Sequence, residues 1–163
     1  MREILFRGKR TNNETWCYGF YCHQTQDKKT TDYIFYSQDN ELCAAEVVPD
    51  TVSQYTGLTD KNGKKIFEGD IVEYNISDEF DCQSIVKFGE YKQDGSGGEY
   101  SAIDCIGFYV EVDNYTCPDW CEEDSEYFPK YLKHQNLLEV ASNCEVIGNI
   151  YDNPELLGGE SNA

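Results

Sequence analysis

Residues 52–76 read VSQYTGLTDKNGKKIFEGDIVEYNI and hold two turn signals on either side of a short apolar pair. Asn62-Gly63 predicts a tight turn, because both residue types tolerate positive φ. Glu68-Gly69-Asp70 predicts a second, with Gly69 permitting the backbone conformation and a strand following over Ile71–Ile76. Ile66 and Phe67, between the turns, are expected to pack inward, and Gln54–Leu58 to lead into the unit. Asp60-Lys61-Asn62-Gly63 has the look of a calcium-loop fragment. It lacks ligands alternating on both sides of the glycine and a distal bidentate acid, so a turn explains it better.

Further strands follow downstream. Residues 84–88 (SIVKF) and 106–112 (IGFYVEV) have β-branched and aromatic content, with GEYKQDGSGGEY over 89–100 read as a long hairpin loop. Val146–Tyr151 predicts a closing strand. Upstream, Ile4–Phe6, residues 16–22 (WCYGFYC) and Tyr33–Tyr36 read as strands. Asn12-Asn13 turns the first hairpin, and the polar stretch QTQDKKTTD separates the second strand from the third. Pro49-Asp50-Thr51 marks a break. Helix is scarce: one short segment within 126–138, and a brief one opened by Asn153, Pro154 and Glu155. The fold class is therefore mainly β, a small barrel-like or curled antiparallel sheet with hairpins plus one or two short helices near the C-terminus. Residues 1–163 form one domain, divisible into an N-terminal β part (1–50) packed on a central and C-terminal barrel part (51–157).

The chain has 163 residues and only 39% hydrophobic content, but aromatic residues make up 14%, and such rings bury enough area for a real core. No apolar run reaches the length of a membrane span, and the opening MREILFRGKR lacks the apolar stretch of an export signal. A cytoplasmic protein with no membrane contact is expected. The eight cysteines then read as reduced thiols, several of them buried. The net charge of −18 is unevenly spread. Residues 1–67 are neutral, whereas residues 68–128 hold seventeen acids against Lys87 and Lys92 alone. That field repels nucleic acid and anionic membrane and attracts a protein partner with a basic surface.

Cys117/Cys121 and Cys17/Cys22 have spacings near those of zinc knuckles, but neither is a C-x-x-C pair with a recognisable second knuckle, so no metal site is predicted. His23 and His134 lie in polar surroundings, and Cys22 and His23, as neighbours on a strand, face opposite ways. Gly95-Ser96-Gly97-Gly98 lacks the Gly-Lys-Ser/Thr of a phosphate loop. No catalytic residue and no cofactor is predicted. The acidic patch of Asp78, Glu79, Asp81, Glu122, Glu123 and Asp124 is the expected partner-binding surface, against the alternative that it only solubilises.

Four blocks in order, REILFRGKR (2–10), TWCYGF (15–20), VSQYTGLTDKNGKKIFEGDIVEY (52–74) and CEVIGNIYDNPELL (144–157), resemble the YopX family of phage and prophage proteins. The resemblance implies a bacterial or phage origin, intracellular expression and a mainly β fold with a compact barrel-like part. It implies no activity, since the family has no established one. The combined expectation is a phage or prophage accessory protein that binds rather than catalyses, its acidic region 68–128 docking on a basic partner as a nucleic-acid mimic or as an inhibitor of a host nucleic-acid-processing or defence protein. Two other readings stand beside it: a small-ligand binder or enzyme with a pocket between strands, and a structural module that self-associates as a homo-oligomer.

Overall fold

The computed structural model describes residues 3–77, 80–93, 101–115 and 134–157. The chain divides into two compact units, Met1–Gly57 and Leu58–Ala163. Among the described residues the structure is mostly β, arranged in two open antiparallel sheets.

The first unit contains β1 (Phe6–Lys9), β2 (Trp16–Gln26), β3 (Lys29–Gln38), β4 (Glu41–Glu46) and most of β5 (Ser53–Thr59), side by side in the order β4-β3-β2-β1-β5. The first hairpin turns at Asn12-Asn13 as expected, and the Asn13 side chain accepts from the amide and hydroxyl of Thr15. The polar stretch 24–32 is not a separate connection. It completes a long hairpin whose turn is Asp27-Lys28, both residues at positive φ (50° and 67°), with Gln26 paired to Lys29. Asp39-Asn40, at φ 51° and 65°, turns β3 into β4, a strand with too little β-branched or aromatic content to announce itself. Positive φ at both central residues matches the right-handed twist of the strands on either side. The sheet curls until Arg10 forms a single bridge with Val47 beyond the end of β4, but it does not close into a barrel. Cys17, Ile34, Ala45 and Val47 are buried on the inner face with Phe6, Tyr36 and Val52 against them. Gly19 belongs to the same layer, and a Cβ there would lie 2.0 Å from the Phe35 carbonyl oxygen.

The second unit begins in the last residues of β5. Beside β5 lies β6 (Lys65–Phe67). The larger sheet has the order β10-β9-β8-β7-β11, built from β7 (Asp70–Ser77), β8 (Phe80–Gln93), β9 (Ile103–Tyr115), β10 (His134–Asn136) and β11 (Glu145–Asn149). Ile66, Val72, Tyr74, Cys82, Val86, Val110 and Val146 form its core with Leu137, Val140 and Cys144. The segment 89–93, read as loop, continues β8 instead. Glu90 pairs with Ile106 and Lys92 with Asp104, and Tyr91 stacks on Tyr109 at 4.8 Å across the Gly89/Gly107 pair. Cross-strand aromatic and ionic contacts supply what the weak local propensity lacks. The helical expectation over 126–138 also needs correction where the residues are described. His134–Asn136 form β10 on β9, and the Asn136 side chain then caps α1 (Leu137–Val140), accepting from the Leu138 amide at 2.9 Å. Pro154–Leu157 make the short terminal turn as a 3-10 helix.

Two buried aspartates hold the decisive stretch 52–76. Asp60 Oδ1 accepts from the amides of Asn62 and Lys64, each at 2.9 Å, and Oδ2 from the amide of Val146 at 3.0 Å. The Asn62-Gly63 turn is thereby tied to β11, eighty-six residues further along. Asp70 Oδ2 accepts from the Phe67 amide at 2.8 Å and closes the Glu68-Gly69 turn. The Gly69 amide donates to the Val86 carbonyl and its own carbonyl accepts from Ile150. Both carboxylates are buried.

Burial pushes the Asp60 carboxyl up, but the three amides outweigh it and hold its pKa below the ordinary carboxylate value. A lowered folded pKa stabilises above the unfolded value and is lost as pH falls through the folded one. Asp60→Asn keeps the shape but turns an NH2 toward at least one of those amides. It is expected to lower unfolding stability by about 1–3 kcal/mol at neutral pH and by less below about pH 4, read by urea denaturation across pH. Lys28→Gly removes a strained positive φ and is expected to stabilise the first unit by about 1 kcal/mol in the same assay.

Candidate functional site

The described part of the first unit brings together a polar cluster that no single segment announces. Tyr21 and His23 are two apart on β2 and therefore share a face, and Asp32 on β3 stands directly opposite His23. The Asp32 carboxylate, only 5% exposed, accepts the Tyr21 hydroxyl and meets His23 Nδ1 at 2.8 Å. Tyr21 is wedged against Phe6, ring centroids 5.6 Å apart. The Tyr21 hydrogen bond and then the His23 contact keep the Asp32 pKa below its ordinary value despite desolvation. An ionised carboxylate only accepts, so His23 presents Nδ1–H to it. The Asp32 bond, with burial behind it, pushes the Tyr21 hydroxyl up to about 12. The cluster thus fixes the tautomer and orientation of an imidazole that is 55% exposed. Such a ring can offer a hydrogen bond at the surface. The neighbouring threonines Thr25 and Thr30 are exposed and bond each other at 3.4 Å.

The signal for this cluster lay in the turn. Placing Asp27-Lys28 at the centre of a two-residue hairpin puts 23 opposite 32 by arithmetic, but the stretch reads as uniformly polar and hides its alternation. On the opposite face of the same hairpin, Gln24, Gln26, Asp27, Lys29, Thr31 and Tyr33 line an open depression of about 350 Å3. Its charged groups, Asp27 and Lys29, are exposed, so the depression lacks the buried titratable groups of an active-site cleft.

In the second unit, His134 lies on β10 opposite Glu111, with its ring edge-on to Tyr109 at 5.4 Å and Nε2 3.7 Å from the Glu111 carboxylate. Lys87 is ion-paired with the same Glu111. Lys92 pairs with Asp104 at 3.5 Å and Lys61 with Glu145 at 2.9 Å. Of the expected acidic patch, Asp81 is exposed on β8 opposite Asn75. Asp78, Glu79, Glu122, Glu123 and Asp124 lie outside the described residues, as do Cys117 and Cys121. Cys17 is buried and Cys22 exposed, on opposite faces of β2, which separates that pair as metal ligands. Cys82 and Cys144 are buried in the core, where desolvation pushes both thiols up to about 11. Among the described residues no cluster of three or more His, Cys, Asp or Glu side chains could hold a metal ion. None of their helices is long and apolar enough to cross a membrane.

Among the described residues, two open antiparallel sheets define a mainly β protein. Residues 5–158 match the sequence profile of the YopX protein family, and the chain belongs to that family. Among solved structures it is similar to protein EF1440 from Enterococcus faecalis, at 20% identity over 96% of this chain and 99% of that one, with a TM-score of 0.45. No curated protein matches the chain.

Removing the carboxylate by Asp32→Asn is expected to return the Tyr21 titration from about 12 toward the ordinary phenol value near 10. NMR of ring-labelled tyrosine, comparing wild type with the variant, checks it. An unchanged high-pH tyrosine in Asp32→Asn would show that burial rather than the carboxylate sets the shift.

Proposed function

We propose that this YopX-family chain is a phage- or prophage-encoded accessory protein that acts by binding, not catalysis, with its acidic stretch 68–128 docking on a basic surface of a protein partner. A host nucleic-acid-processing or defence protein, whose basic channel ordinarily receives phosphates, is the partner class that such a surface suits best. The single observation that carries the reading is the charge imbalance: seventeen acids against two lysines in that stretch. The geometry supports it, because both lysines are already committed, Lys87 to Glu111 and Lys92 to Asp104. The acid surplus is therefore not offset by mobile cations of its own stretch, and it presents a field of one sign to an approaching partner. The buried aspartates Asp60 and Asp70 serve the backbone, which leaves the exposed acids, Asp81 among them, for contact with a partner.

The test is capture of host and phage-infected lysate on immobilised protein, washed at low and at high salt. A specific basic protein is expected to be retained at low salt and released at high salt, since exposed charges farther apart than about 10 Å are screened at 0.1 M ionic strength. Charge reversal of Asp81, Glu122, Glu123 and Asp124 together is expected to slow association with the captured protein by roughly tenfold or more. Affinity indifferent to salt would exclude docking through the acidic surface.

A further inference from the structure

The outer face of the first unit's sheet is unlike any surface the acidic reading uses. The registers place Phe20 beside Phe35 and Phe35 beside Ala44, while Tyr18, Cys22, Tyr33 and Leu42 point to the same side by alternation. Phe20 is 69% exposed and Leu42 77%, and Tyr18, Cys22 and Ala44 are exposed as well. Tyr33 and Phe35 are half-buried, their ring centroids 6.3 Å apart. Beyond Cys22 and Tyr33 the face turns polar through Gln24, Gln26, Lys29 and Thr31.

From this face we infer that the first unit binds a second copy of the same chain, the two outer sheet faces packing together. An aromatic and aliphatic centre beside a polar margin is the anatomy of a protein interface. Exposed rings on a rigid sheet are the side chains that dominate binding energy. Three strands about 4.8 Å apart and several residues long give an apolar centre of roughly 200–300 Å2. With the polar hairpin as margin, that approaches the roughly 800 Å2 per partner of a standard interface.

Charge selects the occupant. The first unit, Met1–Gly57, carries eight acids and six bases, so the faces that meet add little repulsion of their own, and that between two full chains of −18 comes from the remainder and is screened by salt. The remainder carries twenty-three acids and seven bases and strongly resists its own kind. The one acid beside the apolar residues of the face, the exposed Glu46 opposite Tyr33, shares that face with Lys29, so it offers a basic partner far less than the acidic stretch does. A single strand of nucleic acid stacking on the rings would have to overcome the whole chain's −18.

Sedimentation of the full chain over a concentration series tests the inference. The weight-average mass is expected to rise from one chain toward two, and added salt is expected to preserve or strengthen the association, opposite to its effect on acidic docking. The exposed pair Phe20→Ser/Leu42→Ser is expected to weaken association roughly tenfold or more. Unchanged circular dichroism and retained salt-sensitive partner capture would show that the variant is folded and that the two surfaces are independent. A wild-type chain that stays monomeric into high micromolar concentration overturns the inference. So does association unaffected by the double substitution. Binding of labelled oligo-dT by a monomeric chain, lost in the variant, would overturn it in favour of base stacking.

Discussion

The Asp60 carboxylate is the constraint on which the second unit depends. A hairpin of a few residues cannot by itself specify which distant strand it meets. Three amides converging on one buried carboxylate, two from its own turn and one from Val146, do so. The Lys61 amide donates to the Cys144 carbonyl beside it, and the exposed Lys61–Glu145 pair lies over the same junction. With β11 held there, it pairs with β7, and Gly69 carries the backbone connection on to Val86 and Ile150. Charged hydrogen bonds of this kind are stronger than neutral ones, and the low dielectric of the site makes an incomplete set expensive. The carboxylates that a functional reading would first consider are therefore the ones least able to act on a ligand.

The first unit solves a different problem. β2, β3 and β4 follow one another by two-residue turns with positive φ, so that part of the sheet grows by adjacency, whereas β5 returns from a distance to pair with β1. Where the sheet must curl, Gly19 permits the close approach of β3, and the Lys9 amide reaches Thr51 Oγ1 at 2.9 Å to anchor the segment after β4. The curling sheet has an inner face buried at its centre around Cys17, Ile34, Ala45 and Val47 and an outer face on which rings stand exposed. Charge separates the roles further. A nearly neutral unit is suited to contact through apolar surface, and an acid-rich stretch to contact at a distance through its field.

Much of the fold was legible where a local rule acts alone. Asn62-Gly63 and Gly69 declared their turns because few residues tolerate the backbone they need, and the terminal block 144–157, with Pro154 opening its last turn, declared a closing strand and a short helix. Reading failed where a strand is made by its partner. Residues 89–93 look like loop until Tyr91 finds Tyr109, and β4 is visible only through the turn that precedes it. His134–Asn136 resembled the beginning of a helix because local propensity does not know that β9 lies beside it.

The sequence alone determined the β class, the turns, the family resemblance and the imbalance of charge, all of which follow from residue type and near neighbours. Tertiary structure alone decided that Asp32 faces Tyr21 and His23, that Asp60 spends both oxygens on the backbone, and that the exposed rings of β2 share a face with Leu42 of β4. Each of these depends on register between strands. A slip of one residue would turn every side chain to the other face, and it is the ensemble of distant contacts that forbids the slip.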